Sequence, residues 1–152
     1  MFTWVYNMSG GRPLLLDFFT KDTETLHEGD FLNLESGEVD LAATADTALV
    51  GVLAAAKLPE TYTRTAGASF GQIDAVDSTT EVKAVVNIDA VYTDKRWATA
   101  VLAGAQLDIA GATGAQILAT GSNNEFMAIK SVATPSNEDV LVVINVAEHY
   151  LT

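Results

Sequence analysis

The chain has 152 residues, 49% of them hydrophobic, with 20 acidic against 8 basic side chains and a formal charge of −12. That length suits one domain burying about two-thirds of its unfolded surface, and the acidity argues against non-specific nucleic-acid binding and against an anionic membrane surface. The lack of cysteine removes disulfides, zinc–cysteine sites and thiol catalysis and fits synthesis in a reducing cytoplasm.

Residues 1–25 stand apart as an N-terminal arm. Phe2, Trp4 and Tyr6 alternate like a short strand, "SGGRP" with Arg12 breaks it, and "LLLDFF" follows with Phe18 and Phe19. Two readings stay open: the segment folds back and caps the core, or it docks on a neighbouring chain, since aromatics are favoured interface anchors. The opening lacks the basic start and the long apolar run of a signal peptide. The longest apolar stretch, 48–56, is far below the roughly 20 residues that span a bilayer, so a soluble protein is expected.

From Leu26 the period is two, and residues 26–152 are expected to form one domain. In "FLNLESGEVDLAA", Leu32 and Leu34 share one face, and Val39, Leu41 and Ala43 take the apolar side beyond a Ser36-Gly37 turn. That is the pattern of a half-buried antiparallel hairpin with a two-residue turn. "ALVGVLAAA" reads as a strand stopped by Pro59. Residues 59–80, rich in Thr, Gly, Ser and Asp, read as a loop or insertion with one short strand around 69–76. "EVKAVVNIDAVY" reads as one strand, with Val82, Ala84, Val86, Ile88 and Ala90 on one face. "TDKRWATAVLAGA" predicts the one short helix, capped by Thr93 or Asp94 and closed by Gly104. "DVLVVINVAEHY" reads as a final β-branched strand.

The hairpin pattern occurs twice. Pairing Gly29 with Gly104 sets Leu32 on Leu107, Leu34 on Ile109, and the Ser36-Gly37 turn on residues 110–114. Leu41 then meets Ile117 or Leu118, Ala43 meets Ala119, "ALVGVL" corresponds to "EFMAIK", and Gly51 falls on Met127. Each copy is a β-meander whose apolar face cannot be buried alone, so two copies facing each other predict a small barrel or clip.

Few residues offer chemistry. His27 and His149 each neighbour a glutamate but are remote in sequence, and both are expected near strand ends at the surface. "DAVDSTTE" and "TPSNEDV" lack the ligand spacing of a calcium loop. "GASFG" and "GATGAQ" lack the lysine and the βαβ setting of a phosphate cradle. No histidine is placed to activate a serine or threonine. Catalytic residues, cofactors and metals are therefore not expected, and no small-molecule substrate is. Lys95, Arg96 and Trp97 form the one basic-aromatic cluster, which reads as a salt bridge or a subunit contact.

With "LHEGDFLNLESGEVDLAATADTALVGVL" and then "LAGAQLDI", the chain resembles the head-decoration, or capsid cement, proteins of tailed bacteriophages over residues 26–147. The resemblance implies a mainly β, tulip-like barrel of the β-clip type and a non-enzymatic structural role. It implies a homotrimer, made in the host cytoplasm, on the outer capsid surface of the virion, bound where major capsid subunits meet. Capsid or neighbour contacts are then expected at Phe2, Trp4, Tyr6, Arg12, Phe18, Phe19, Arg96 and Trp97, and deletion of residues 1–19 is expected to weaken binding more than folding. The segment 59–80 has no place in the family pattern. Two other readings are a tail or fibre β-domain and a carbohydrate-binding clip-type domain.

Overall fold

A computed structural model describes residues 2–21, 24–57, 72–74, 80–94, 97, 99–133 and 139–151. The strands are, in the first half, β1 (Phe2–Asn7), β2 (Leu15–Phe19), β3 (Thr25–His27), β4 (Phe31–Glu35), β5 (Glu38–Leu41), β6 (Leu49–Lys57) and β7 (Gln72–Asp74). There follow β8 (Glu81–Val85), β9 (Ala90–Asp94), β10 (Gln106–Ala110), β11 (Ile117–Ala119), β12 (Phe126–Ala128) and β13 (Leu141–Ile144). The protein is mainly β. A six-stranded sheet, β1-β9-β13-β12-β10-β11, faces a five-stranded one, β2-β8-β6-β4-β5, and β3 pairs with β7.

The main core lies between the two large sheets and is centred on Phe31. Its ring lies 4.7 Å from Phe2, 4.8 Å from Tyr92 and 4.9 Å from Phe126, each edge-on, the arrangement that aromatic quadrupoles favour. A second cluster, including Leu32, Val39, Val50 and Val82, covers the other face of the five-stranded sheet. The hairpin is thus buried on both faces rather than one, and Asn33, on the side read as wet, is only 8% exposed. The five-stranded sheet curls until its edges touch at one parallel bridge, Thr20 to Val39. The expected closed barrel does not form among the described residues; there are two large sheets and the β3–β7 pair instead.

The internal likeness is written in hydrogen bonds. β4 sits between β5 and β6, as β10 sits between β11 and β12. The Gly29 N–H donates to the Leu53 carbonyl at 2.9 Å, and the Gly104 N–H donates to the Ala128 carbonyl at 2.7 Å. One residue on, Leu53 N–H donates to Asp30 O and Ala128 N–H to Ala105 O. Both glycines are left-handed, at φ 90° and 82°, as the third position of a type II turn requires. The register corrects the finer pairing. Leu32 opposes Gly51 and Leu107 opposes Phe126, so Phe126, not Met127, is the counterpart of Gly51. Likewise Val39, not Leu41, corresponds to Leu118. The slip arises because the second hairpin loop is six residues long, from Ala110 to Ile117, against two in the first.

Two further expectations change. The predicted helix over 93–104 is absent from the described residues: Thr93 and Asp94 end β9, where Asp94 accepts the Leu118 N–H at 3.0 Å and is 1% exposed, and Gly104 belongs to a turn. The β1–β9 ladder holds Thr93 and Asp94 in extended backbone, opposite Thr3 and Phe2, so neither starts a helix. The regular helical element described is a 3-10 turn, Val146–Glu148. The strand read through residues 81–92 breaks at a corner, residues 86–89, between β8 and β9. Of 59–80, only β7 and Thr80 lie within the described residues.

Residues 2–20 are built into both sheets. β1 runs antiparallel to β9 and β2 antiparallel to β8, and the connection between them is pinned to the corner by Met8 N–H to Asp89 O and Val86 N–H to Leu14 O, each at 3.0 Å. One two-stranded ribbon therefore bends through the molecule and contributes an edge strand to each sheet. Deleting 1–19 would strip both edges and remove Phe2 from the core, so that deletion cannot separate binding from folding.

Gly51, at φ 145°, has no room for a Cβ, which would collide with the Val85 carbonyl oxygen and come within 3.0 Å of the Tyr92 hydroxyl. Gly51→Ala should cost about 3–4 kcal/mol in urea unfolding, whereas Gly104→Ala, with open space around it, should cost only about 1 kcal/mol for its backbone conformation.

Candidate functional site

The Gly-Asp-Phe entry to β4 is where the two meanders are joined. The Asp30 carboxylate accepts the Gly114 N–H at 2.8 Å and the Thr113 hydroxyl at 2.8 Å, both from the loop between β10 and β11. It also accepts its own turn's His27 N–H at 2.9 Å. Burial pushes the Asp30 carboxyl above its ordinary value, and these donors pull against that rise. Fully buried Gln116 completes the joint: its Oε1 accepts Phe31 N–H at 2.5 Å, and its Nε2 donates to Ala42 O at 2.6 Å.

A second joint runs in the opposite direction. Glu125 of the second meander accepts the Ala45 N–H at 2.5 Å, and Thr44 donates its hydroxyl to Ile109 O at 2.5 Å. Asp108, on β10, accepts through its carboxylate the N–H groups of Asn123 at 3.1 Å and Asn124 at 2.7 Å. Both acids are buried, 2% and 0% exposed for Asp108 and Glu125. Burial pushes the Glu125 carboxyl up, the Ala45 N–H opposes it, and the Asp108 charge adds to the rise. Burial also opposes ionisation of Asp108, but the Asn123 and Asn124 N–H donors work against it and the carboxyl is held low. Sequence reasoning missed every member of both joints; Asp30 was legible only as part of the "EGD" motif.

The residues expected to make contacts divide by depth. Phe2 is 1% exposed and stacks on Phe126 at 5.6 Å, so it is core and offers no contact surface. Trp4 packs partly against the same core and donates its indole N–H to Asn7 at 3.0 Å. A β-bulge between Trp4 and Tyr6 ends the alternation, turning both Val5 and Tyr6 outward. Arg12 is exposed. Phe18 leans on the second cluster and meets Tyr150 edge-on at 5.9 Å, whereas Phe19 is 48% exposed. Trp97 packs against the main core and donates its indole N–H to Thr99 O; Arg96 lies outside the described residues.

What this leaves outside is a row of exposed apolar side chains along the ribbon: Val5, Tyr6, Met8, Leu14, Leu15, Leu16 and Phe19, with Ile88 at the corner. In β2, successive residues on both faces are exposed. Asp17 there is paired with Lys83 at 2.5 Å, leaving Arg12 as the other charged residue between positions 2 and 20.

Among the described residues, no three acidic or histidine side chains cluster to hold a metal. His149 is not at the surface but 1% exposed, and burial lowers its pKa. A shallow cavity of about 260 Å³ lies between residues 100–102 and 131–133; its hydroxyl, from Ser131, is engaged by the Ala103 N–H at 2.9 Å, and no charged group lines it. No helix among the described residues is long and apolar enough to cross a membrane. No protein-family model matches the chain, and no curated protein matches it.

Gln116→Leu should lower stability by about 2–4 kcal/mol in denaturant unfolding, because it leaves the Phe31 and Ala42 backbone groups buried without their partner. A change within experimental error would mean that those groups find other donors and acceptors.

Proposed function

We propose that this protein is a capsid decoration protein of a tailed bacteriophage: a non-enzymatic, homotrimeric cement that clamps major capsid subunits together on the outer surface of the head. The observation that carries the reading is the apolar ribbon edge. A −12 chain concentrates exposed leucine and aromatic side chains on two edge strands, and an uncovered edge of that kind invites pairing or association. Further support comes from the repeated meanders, which fit the β-clip or tulip-like family pattern, and from the "EGDF" motif that the family shares. Here that motif is structural: Asp30 and Phe31 hold the domain together and leave the ribbon free to bind.

Binding energy is all that such a function needs. A trimer engaging several capsid subunits multiplies weak contacts through effective concentration, and ligation of the assembled shell stabilises it by mass action.

Leu16→Glu and Phe19→Glu, at positions 41% and 48% exposed, should change folding stability by less than about 1 kcal/mol. Each should weaken co-sedimentation with expanded capsids by about tenfold or more. Wild-type protein that fails to co-sediment, or variants that bind as well as wild type, would overturn the proposal.

A further inference from the structure

The segment after β13 runs back to the five-stranded sheet. Asn145 N–H donates to Glu125 O at 2.8 Å, the 3-10 turn Val146–Glu148 follows, and His149 meets Leu49 of β6 in a parallel bridge. Tyr150 N–H donates to Leu49 O at 3.1 Å, and the Tyr150 ring packs on the second apolar cluster, edge-on to Phe18. Residues 145–151 thus form a strap tied to the second meander at one end and to β6 at the other. Of the strap, His149 is the residue that is buried, at 1% exposure.

The imidazole is held in a way that suits one charge state. Its Nδ1 accepts the Leu151 N–H at 3.2 Å. An accepting nitrogen must carry a lone pair, so the ring that fits is neutral, with its proton on Nε2. A proton on Nδ1 would set N–H against N–H and leave a cation out of water. The charged and titratable groups nearby are engaged elsewhere or uncharged. β6 carries no charged side chain from Leu49 to Ala56. At the 86–89 corner, Asp89 accepts the Ser9 N–H at 2.8 Å, and on β2 Asp17 is paired with Lys83. Within the strap, Glu148 is the neighbour in sequence, and burial pushes the Tyr150 hydroxyl up, which keeps it neutral. Burial lowers the pKa of His149, and the Val86 backbone acts against that fall. The Tyr150 ring, 5.1 Å away, can face an imidazolium, but it belongs to the same strap and moves with it.

We propose that His149 is an acid-opened latch: the neutral ring holds residues 149–151 against β6, and a proton on Nδ1 breaks the bond to Leu151 and frees Tyr150 from Phe18. The unfolded chain takes up this proton near the ordinary 6.5, and the native ring takes it up lower. Stability from His149 is therefore complete above 6.5 and is lost as pH falls from there through the lowered native value. Opening the latch uncovers Phe18 on β2 and part of the second cluster, while the main core around Phe31 keeps its contacts. This inference does not depend on the capsid reading.

The test is an NMR titration of the intact protein from about pH 8 to about pH 4, read at the His149 ring nitrogens and by hydrogen-exchange protection of the Tyr150 and Leu151 amides. At the neutral end Nδ1 should be unprotonated. Protection of Tyr150, corrected for intrinsic exchange, should fall more than about tenfold as the ring takes its proton. His149→Gln does not titrate and should remove that step. His27→Gln, which removes the chain's other histidine, should leave the step in place, so either variant decides the matter if the other fails to fold. A proton on Nδ1 at neutral pH, protection that stays flat across the titration, a step that survives in folded His149→Gln, or one that is lost in folded His27→Gln would overturn the latch.

Discussion

Everything else in this molecule depends on how β4 begins. Gly29 takes a left-handed turn, Asp30 reaches across to the second meander, and Phe31 enters the centre of the aromatic core. The three tasks are consecutive and use one backbone. Because the Phe31 N–H is bound by Gln116, the ring cannot move without disturbing the joint, and the joint cannot open without displacing the ring. Buried polar contacts of this kind specify one arrangement and are costly when half satisfied. That coupling joins the two meanders, neither of which could bury its own apolar face.

The two meanders share a turn and a ladder, but they are not used alike. Asp30 of the first corresponds to Ala105 of the second, under the same pairing that sets Gly29 on Gly104. Phe31 at the core centre corresponds to Gln106, which is exposed. The second meander answers with polar groups at positions the first does not match, Gln116 in its long hairpin loop and Glu125 before its third strand. Each copy thus grips the other through residues absent from the repeat.

Much of the local structure was legible in the sequence, because alternation reports a strand directly. The hairpin Phe31–Leu41, its Ser36-Gly37 turn and the strand from Leu49 are where the period of two placed them. Misreadings cluster where tertiary contacts override pattern. Asp94 looked like a helix cap because a lone acid before an alanine-rich run has that local signature; its true partner, Leu118, is 24 residues away. Val82 to Ala90 looked like one strand because hydrophobic parity continues through the corner, where the chain changes sheet. The alternation of Phe2, Trp4 and Tyr6 was real, but a bulge at Val5 sends the first inward and the last outward. The carboxyl joints left no readable trace, since a buried acid and a solvated one look the same in a chain with 20 of them.

The ribbon of residues 2–20 connects folding to the outer surface. Phe2 and Phe18 point to the two apolar clusters, while Leu15, Leu16 and Phe19 face out from the same backbone. An edge fixed in this way has already paid its ordering entropy during folding, so a partner meets a preorganised surface and not a loose terminus. It also meets a stretch with a single acidic residue, Asp17. Elsewhere a −12 chain repels other acidic surfaces, its own copies included; along the ribbon that repulsion is relaxed and apolar burial can act. If the ribbon is the docking edge proposed above, its anchorage in both sheets passes any load carried there to both of them.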